Sequence, residues 1–119
     1  MKTAIVGSRN ITDYDLKEAL EGLRVTEVIS GGAMGVDTLA EVYAKAKGIP
    51  LQIFPADWKT HGPKAGPLRN KQIVEACEQL VAIWDGNSKG TATTIRMAQR
   101  AEKYVRVIKV NDPKQASLF

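Results

Sequence analysis

The sequence predicts a single α/β domain in which helices cover both faces of a five-stranded parallel sheet. Short apolar segments alternate with amphipathic segments of ten or more residues, and this alternation is typical of βαβ units. The chain has 119 residues, 44% of them hydrophobic and 25% charged, which is enough for one buried core. We expect right-handed crossovers between consecutive parallel strands.

The first half of the chain contains three predicted strands, at residues 4–6, 25–30 and 51–54. Between them, apolar residues recur with helical spacing. The first helical stripe follows a predicted N-cap at Thr12 and consists of Leu16, Ala19, Leu20 and Leu23. The second stripe consists of Val36, Leu39, Ala40 and Tyr43, and it is followed by Gly48 and Pro50.

The second half begins with residues 55–66, whose prolines and glycines exclude a single regular element. A helix is predicted from about Pro67, because proline suits the first helical turn. The remaining predicted elements are a strand at 80–84, a loop at 85–90, a helix at 91–101 and a strand at 104–110. We therefore expect a domain spanning residues 1–110 and a C-terminal tail at 111–119.

These elements predict a Rossmann-like three-layer α/β/α sandwich. We favour the strand order 3-2-1-4-5, with 2-1-3-4-5 as the second choice. In either case a ligand is expected outside the carboxyl ends of the strands, where the strand order reverses.

The composition limits the classes of function. Cys77 is the single cysteine and His61 the single histidine, so we expect no disulfide and no metal site. The lone cysteine and the absence of a long apolar segment are typical of a cytoplasmic protein with no membrane partner. The net charge of +4 favours anionic partners, but aromatic residues make up only 6% of the chain, which argues against a nucleic-acid groove.

The segments that follow the strands contain the candidate ligand-binding residues. By segment, they are Gly7, Ser8 and Arg9; Gly31, Gly32, Ala33, Gly35 and Asp37; Asp57, Trp58 and Lys59; and Asp85, Ser88, Gly90 and Thr91. Because the carboxyl ends of parallel strands share one edge of the sheet, we expect these segments to lie close together.

The Gly31–Gly35 segment and the Ser88–Thr91 segment each have the character of a phosphate-binding loop. Glycine allows the backbone to approach a ligand closely, and the first N–H groups of the following helix can hold an anion. Each segment taken alone is equally compatible with an ordinary turn or N-cap. Two such segments at one edge of the sheet favour anion binding.

Other candidate side chains also have two interpretations. Arg9 suits a phosphate or carboxylate clamp, or a surface ion pair. Trp58 suits stacking on a base or covering the site, whereas Trp84 could cap the core. Asp57 suits ribose hydroxyls, and Asp37 suits either the ligand or the dipole of the helix that it begins.

The motifs Gly7-Ser8-Arg9 and Ser30–Ala40 resemble the SLOG superfamily, which includes the LOG phosphoribohydrolases and the Smf/DprA proteins. The further motifs Phe54–Lys59, Ala65–Asn70 and Ser88–Thr91 are similar to the small YspA-type SLOG family of bacteria and phages. The resemblance covers residues 3 to about 110. It implies a Rossmann-like fold and a nucleotide or nucleotide-derived ligand.

The resemblance also adds Arg69 and Asn70 to the candidate site, since Arg69 stands where LOG enzymes carry an arginine on their third helix. Those enzymes have the pattern Gly-Gly-x-Gly-Thr-x-x-Glu, which this chain matches only at Gly90 and Thr91. Thr94 occupies the position of the glutamate, and a threonine cannot act as a carboxylate base near neutral pH.

Three hypotheses follow from the sequence. The first is a sensor, carrier or sequestering module for a nucleotide-like small molecule, with no further cofactor. The second is a hydrolase of nucleotide or nucleoside-phosphate bonds, whose candidate catalytic residues are Arg69, Asp57 and Asp85. The third is DNA binding of the DprA kind. Alanine-rich helix faces are compatible with core packing or with a homo-oligomer; they carry Ala40, Ala44, Ala98 and Ala101.

Overall fold

The computed structural model describes residues 1–110 and contains one five-stranded parallel sheet in the order β3-β2-β1-β4-β5. The strands are β1 (Lys2–Gly7), β2 (Glu27–Ser30), β3 (Leu51–Ile53), β4 (Gln79–Trp84) and β5 (Tyr104–Lys109). The helices are α1 (Leu16–Ala19), α2 (Val36–Lys47), α3 (Trp58–His61), α4 (Ala65–Ala76) and α5 (Lys89–Arg100), with a 3₁₀ turn at Gly62–Lys64 between α3 and α4. The favoured strand order is confirmed, and the order 2-1-3-4-5 is wrong.

Two apolar layers cover the two faces of the sheet. Alternate residues of the central strands point to opposite faces, so Ile5 packs with α1 and α2 while Ala4 packs with α4 and α5. Leu80 and Ala82 of β4 lie on the second face, and Ile83 lies on the first. This arrangement is the predicted three-layer sandwich, and its central strands are buried because helices cover them on both sides.

The first helix is shorter than the apolar stripe predicted. It begins at Leu16, and its N-cap is Asp15, whose carboxylate accepts a hydrogen bond from Lys17 N at 3.0 Å; Thr12 is not the cap. Ile11 is buried in the core with 1% of its surface exposed, so the chain enters the helix from a packed position. A turn with Gly22 at a φ of 80° then leads towards β2.

The irregular segment at 55–66 folds as α3 and the 3₁₀ turn, which continue directly into α4. Asp57 caps α3 by accepting a hydrogen bond from Thr60 N at 3.2 Å, and Pro63 lies in the first turn of the 3₁₀ element. As a result α4 begins at Ala65, two residues before the predicted start. Helix α5 likewise begins at Lys89 rather than at residue 91.

The strand order places the topological switch between β1 and β4. From β1 the chain proceeds outward to β2 and β3, then returns to β4 on the other side of β1. The two central strands pair from Thr3 with Gln79 to Gly7 with Ile83. Their connections leave in opposite directions beyond Gly7, which creates the space for a ligand. None of the helices within residues 1–110 has the length and hydropathy needed to cross a bilayer.

The prediction of a tail at 111–119 lies outside the described residues.

Candidate functional site

A cleft of about 430 Å³ opens at the carboxyl ends of β1 and β4, and we call it the switch cleft. It lies between the segments that follow these two strands, the start of α2, and the facing sides of α4 and α5. Its lining residues are Val6, Gly7, Arg9, Asn10, Ala33, Asp37, Arg69, Asn70, Ile73, Asp85, Ser88, Gly90, Thr91 and Thr94.

Most of the residues proposed from the sequence lie in the switch cleft. A second groove, of about 270 Å³, contains Gly31, Gly32 and Trp58. Four proposed residues line neither space: Ser8, Gly35, Asp57 and Lys59. The structure therefore groups the candidates into two neighbouring spaces instead of one.

The loop after β4 is organised by the carboxylate of Asp85. Its Oδ1 atom accepts hydrogen bonds from Asn87 N at 2.8 Å and from Ser88 N at 2.9 Å. Burial alone would raise the pKa of Asp85, but these backbone donors, together with the hydroxyls of Ser8 and Ser88, hold it below its usual value. Oδ1 of Asp85 therefore has a structural role in shaping the loop.

The N-terminus of α5 is open towards the switch cleft. The N-cap residue Ser88 makes no side-chain capping bond, because its hydroxyl lies 3.0 Å from the Ser8 hydroxyl and 3.1 Å from the Asp85 carboxylate. The first three N–H groups of a helix have no intrahelical acceptor. Within residues 1–110 no side chain supplies one here, so the N–H groups of Gly90 and Thr91 remain available at the cleft.

Gly90 has no conformational or packing reason to be glycine within the described residues. It lies in the first turn of α5, its φ is not positive, and an added Cβ would meet nothing within 4 Å. Alanine would be more favourable in a helix by roughly 0.5–1 kcal/mol. Gly90 lines the switch cleft, so the glycine leaves this part of the lining without a side chain.

The Gly31–Gly35 segment is different, because the protein itself fills the space beside its glycines. A Cβ on Gly31 would lie 2.6 Å from Arg69 Nη1, and a Cβ on Gly32 would lie 2.9 Å from the Ile53 side chain. At Gly35, where φ is 71°, a Cβ would collide with the carbonyl oxygens of Ser8 and Arg9.

Asp37 occupies the anion position of this segment. Its Oδ2 atom accepts a hydrogen bond from Ala33 N at 3.1 Å, so the loop amide binds an internal carboxylate. Asp37 is 7% exposed, and burial raises its pKa above the usual value, whereas the Ala33 amide and the nearby Arg69 oppose that rise. The carboxylate lines the switch cleft and places a negative charge beside the arginines.

Arg69 of α4 is held in place by two hydrogen bonds. Its Nη1 donates to Gly31 O at 2.8 Å, and its Nε donates to Asn70 Oδ1 at 2.9 Å. Burial lowers its pKa, Asp37 opposes that shift, and the nearby Arg9 lowers it further. Its Nη2 group forms no bond to residues 1–110 and is available to a ligand.

Arg9 follows β1 and lines both the switch cleft and the second groove. Its guanidinium is exposed and has no hydrogen-bond or ion-pair partner between residues 1 and 110. The structure therefore does not show the surface ion pair that was its alternative interpretation.

Several proposed residues have structural roles. Ser8 is 1% exposed, and its hydroxyl accepts a hydrogen bond from Asp85 N at 3.0 Å, which joins the β1 turn to the β4 loop. Trp84 packs against the core beside α4 and α5, and its Nε1 donates to Ser88 O at 3.1 Å. Asp57 caps α3 and Lys59 is exposed, away from both spaces.

Sequence reasoning missed some of the lining residues. Asn10 follows Arg9 and lines the switch cleft, while Met34, Pro55 and Ala56 line the second groove. The position of Asn10, directly after a proposed arginine, was a usable signal. Ile73 also lines the switch cleft, and the apolar periodicity of its helix could not show this.

A model of the family described as the YspA, cpYpsA-related SLOG family matches residues 1–61, just over half of the chain. This match includes Arg9 and the Gly31–Gly35 segment and ends before Arg69 and α5. Over 80 residues the chain is 38% identical to the Gene 61 protein of Mycobacterium phage D29. The aligned part is 62% of this chain and 64% of that relative, so the chain spans a little under two thirds of the phage protein. No solved structure matches the chain significantly.

Proposed function

The chain belongs to the YspA, cpYpsA-related SLOG family, and from that premise we propose that it binds a nucleotide or nucleotide-derived ligand by its phosphate in the switch cleft. One observation carries the proposal: the first turn of α5 is open, with Gly90 clearing the space in front of unpaired helix N–H groups. A helix N-terminus of this kind attracts anions through its donors and its dipole.

The two arginines support the same conclusion. Arg69 is fixed by its bonds to Gly31 O and Asn70 Oδ1, and Arg9 is exposed, with no side-chain partner among residues 1–110. A guanidinium that keeps N–H groups available binds phosphate in a directed way. Asp37 lies near Arg69 and offsets part of its positive charge, while Arg9 adds a second guanidinium to the lining of the cleft.

The rest of a nucleotide has polar partners in the same cleft. Asn70 accepts from Arg69 through Oδ1, which leaves its amide NH₂ for a ligand, and Asn10 lies exposed at the rim. Asn10 and Asn70 are therefore our candidates for the ribose hydroxyls. Asp57, which was proposed for that role from the sequence, lies outside the cleft.

Binding without turnover is the form of this function that we propose, in a sensor, carrier or sequestering protein. In LOG enzymes a glutamate acts near the sugar; here Asp57 lies outside the cleft as the cap of α3, and Asp85 Oδ1 accepts hydrogen bonds from the backbone of its own loop. Thr94 stands at the glutamate position, and its hydroxyl donates to Gly90 O at 2.9 Å.

The proposal is tested by calorimetric titration of the protein with AMP and ADP. We expect wild type to bind the nucleotides saturably and Gly90→Ala to bind them more weakly. Arg96→Ala is the control, because it removes an exposed arginine of α5 that lines neither space, and its affinity should equal that of wild type. A wild-type protein that binds neither nucleotide nor any co-purifying phosphate compound seen by native mass spectrometry would contradict the proposal.

A further inference from the structure

The second groove has an apolar surface that a mononucleotide in the switch cleft does not use. We call it the Trp58 groove, after its largest side chain; Met34, Pro55 and Ala56 also line it. Trp58 is 53% exposed and Met34 is 68% exposed. Two large apolar side chains exposed side by side in a concave surface are typical of a binding site.

Trp58 is held in position by α4. A Cβ on Gly66 would lie 3.3 Å from Trp58 Cη2, so the indole rests close to the helix backbone at a residue with no side chain. About half of the Trp58 surface remains exposed, and the side chain lines the groove. A ring supported on one side is a suitable platform for stacking, because little of its freedom is lost when a second ring binds.

The Trp58 groove and the switch cleft share a boundary. Arg9, Ala33 and Arg69 line both spaces, and no other residue that lines the groove belongs to the cleft. A ligand that extends from one space to the other must therefore pass two guanidinium groups. The part of such a ligand that crosses the boundary has to be anionic.

We propose that the ligand contains two ring-bearing units joined by a diphosphate. One nucleoside unit lies in the switch cleft, the diphosphate lies across Arg9 and Arg69, and the second ring stacks on Trp58. This inference rests on the proposed function and names its ligand class. It assigns to Trp58 a role in choosing between one-ring and two-ring ligands.

The test compares diadenosine diphosphate with ADP by calorimetric titration. Stacking of one base on an aromatic side chain corresponds to roughly a 5-fold to 150-fold change in affinity. We expect wild type to bind the two-ring compound at least about 5-fold more tightly than ADP. Trp58→Ala removes this preference and leaves the affinity for ADP unchanged, whereas Trp58→Phe retains most of it.

Two further variants complete the experiment. Tyr104→Ala is the matched control, because Tyr104 is an aromatic residue on β5 with 51% exposure and lines neither space. It is expected to change neither affinity. Met34→Ala removes a second apolar side chain of the groove. It is expected to weaken binding of the two-ring compound and not binding of ADP, which keeps the inference testable if Trp58→Ala does not fold.

The outcomes separate this inference from the proposed function. If wild type binds ADP and the two-ring compound equally, or if Trp58→Ala and Met34→Ala leave the preference unchanged, the two-ring inference is wrong and the proposed function stands. If wild type binds neither of these compounds, the two-ring inference is wrong; if AMP and the co-purifying phosphate compounds also fail to bind, the proposed function is wrong as well.

Discussion

The Gly31–Gly35 and Ser88–Thr91 segments both contain glycine before a helix, but the space beside their glycines differs. They follow β2 and β4, the two strands that flank β1, and each leads into a twelve-residue helix. In the first segment, Arg69, Ile53 and the Ser8 backbone fill the space beside the glycines, and Asp37 takes the loop amide. In the second, Gly90 faces open space and the helix has no side-chain cap.

The comparison shows that a glycine motif does not by itself identify an anion site. Glycine is needed wherever the backbone must approach something closely, and that neighbour can be another part of the protein. In this chain the glycines of Gly31–Gly35, which lie within the match to the family model, allow close packing of neighbouring parts of the protein. Gly90 of the Ser88–Thr91 segment faces open space instead.

The largest effect is expected from Gly35→Ala. Its φ of 71° is unfavourable for alanine, and the new methyl group would collide with backbone carbonyl oxygens that have little room to move. Strain and overpacking together should lower the free energy of unfolding by about 4 kcal/mol or prevent folding. Urea denaturation followed by circular dichroism measures this. A variant as stable as wild type would show that the first segment is not a tight packing device.

The second prediction concerns catalysis at the open segment. Wild type should not release base from nucleoside monophosphates at an enzymatic rate, because Thr94 cannot stabilise positive charge on the ribose. Restoring the carboxylate with Thr94→Glu should raise the rate, since one preorganised group contributes on the order of 10²–10³.

Chromatographic detection of free base measures the rate of base release by wild type and by Thr94→Glu. Turnover by wild type at around 1 s⁻¹ or faster would place it in the ordinary enzyme range and refute the binding-only role.

Arg69 links the two segments, because it bonds to Gly31 O and lines the cleft opposite α5. Arg69→Ala should weaken nucleotide binding by about 1.5–3 kcal/mol if its remaining N–H groups contact phosphate. Loss of the bond to Gly31 should also lower stability by about 1 kcal/mol. Titration and thermal unfolding are compared with Lys71→Ala, an exposed change on the same helix. Equal affinities in wild type and Arg69→Ala would remove this arginine from the site.

Gly90→Ala should lower the affinity for a nucleotide and raise the free energy of unfolding. The added methyl group would lie at the lining of the switch cleft and should weaken nucleotide binding about 10-fold, or roughly 1.4 kcal/mol. Stability should rise by roughly 0.5–1 kcal/mol, since alanine favours the helix. The opposite pattern, with unchanged affinity and reduced stability, would make the second segment a packing device like the first.

The smallest effect is expected from Asp37→Asn, which changes how the free energy of unfolding depends on pH. Burial raises the pKa of Asp37, so its protonated form favours the folded state. That contribution is present below the ordinary aspartate pKa of about 3.9 and is lost as the pH rises through the raised value. Asp37→Asn keeps an oxygen that can accept from Ala33 N and has no charge.

Urea unfolding of wild type and Asp37→Asn over a range of pH values measures this difference. The variant should gain stability relative to wild type as the pH rises above about 4. A constant difference between the two proteins would indicate that Asp37 has an ordinary pKa.

Much of the fold followed from sequence periodicity. The apolar runs at Ala4–Val6 and Leu80–Trp84 identified the buried central strands, because a strand covered on both faces has apolar side chains in both directions. Helix ends were less predictable. Thr12 and Asp15 are both good capping residues, and local sequence did not show that Asp15 is the one that caps α1.

The candidate site was predictable in part. Parallel strand topology placed Arg9, Asp85 and Thr91 at one edge from the sequence alone. The periodicity of α4 could not show that Arg69 reaches across to Gly31, a contact between residues 38 positions apart. The sequence also did not show that Asp57 would bond to a local partner: its carboxylate accepts from Thr60 N, and the residue lines neither space.

The sequence by itself determined the alternation of strands and helices, and it favoured the observed strand order and placed the candidate residues at one edge of the sheet, because period and chain direction are local properties that topology rules convert into a fold. Tertiary structure alone decided which glycines face protein and which face open space. That decision depends on Ile53, Arg69 and the Ser8 backbone, all brought to the first segment from distant parts of the chain.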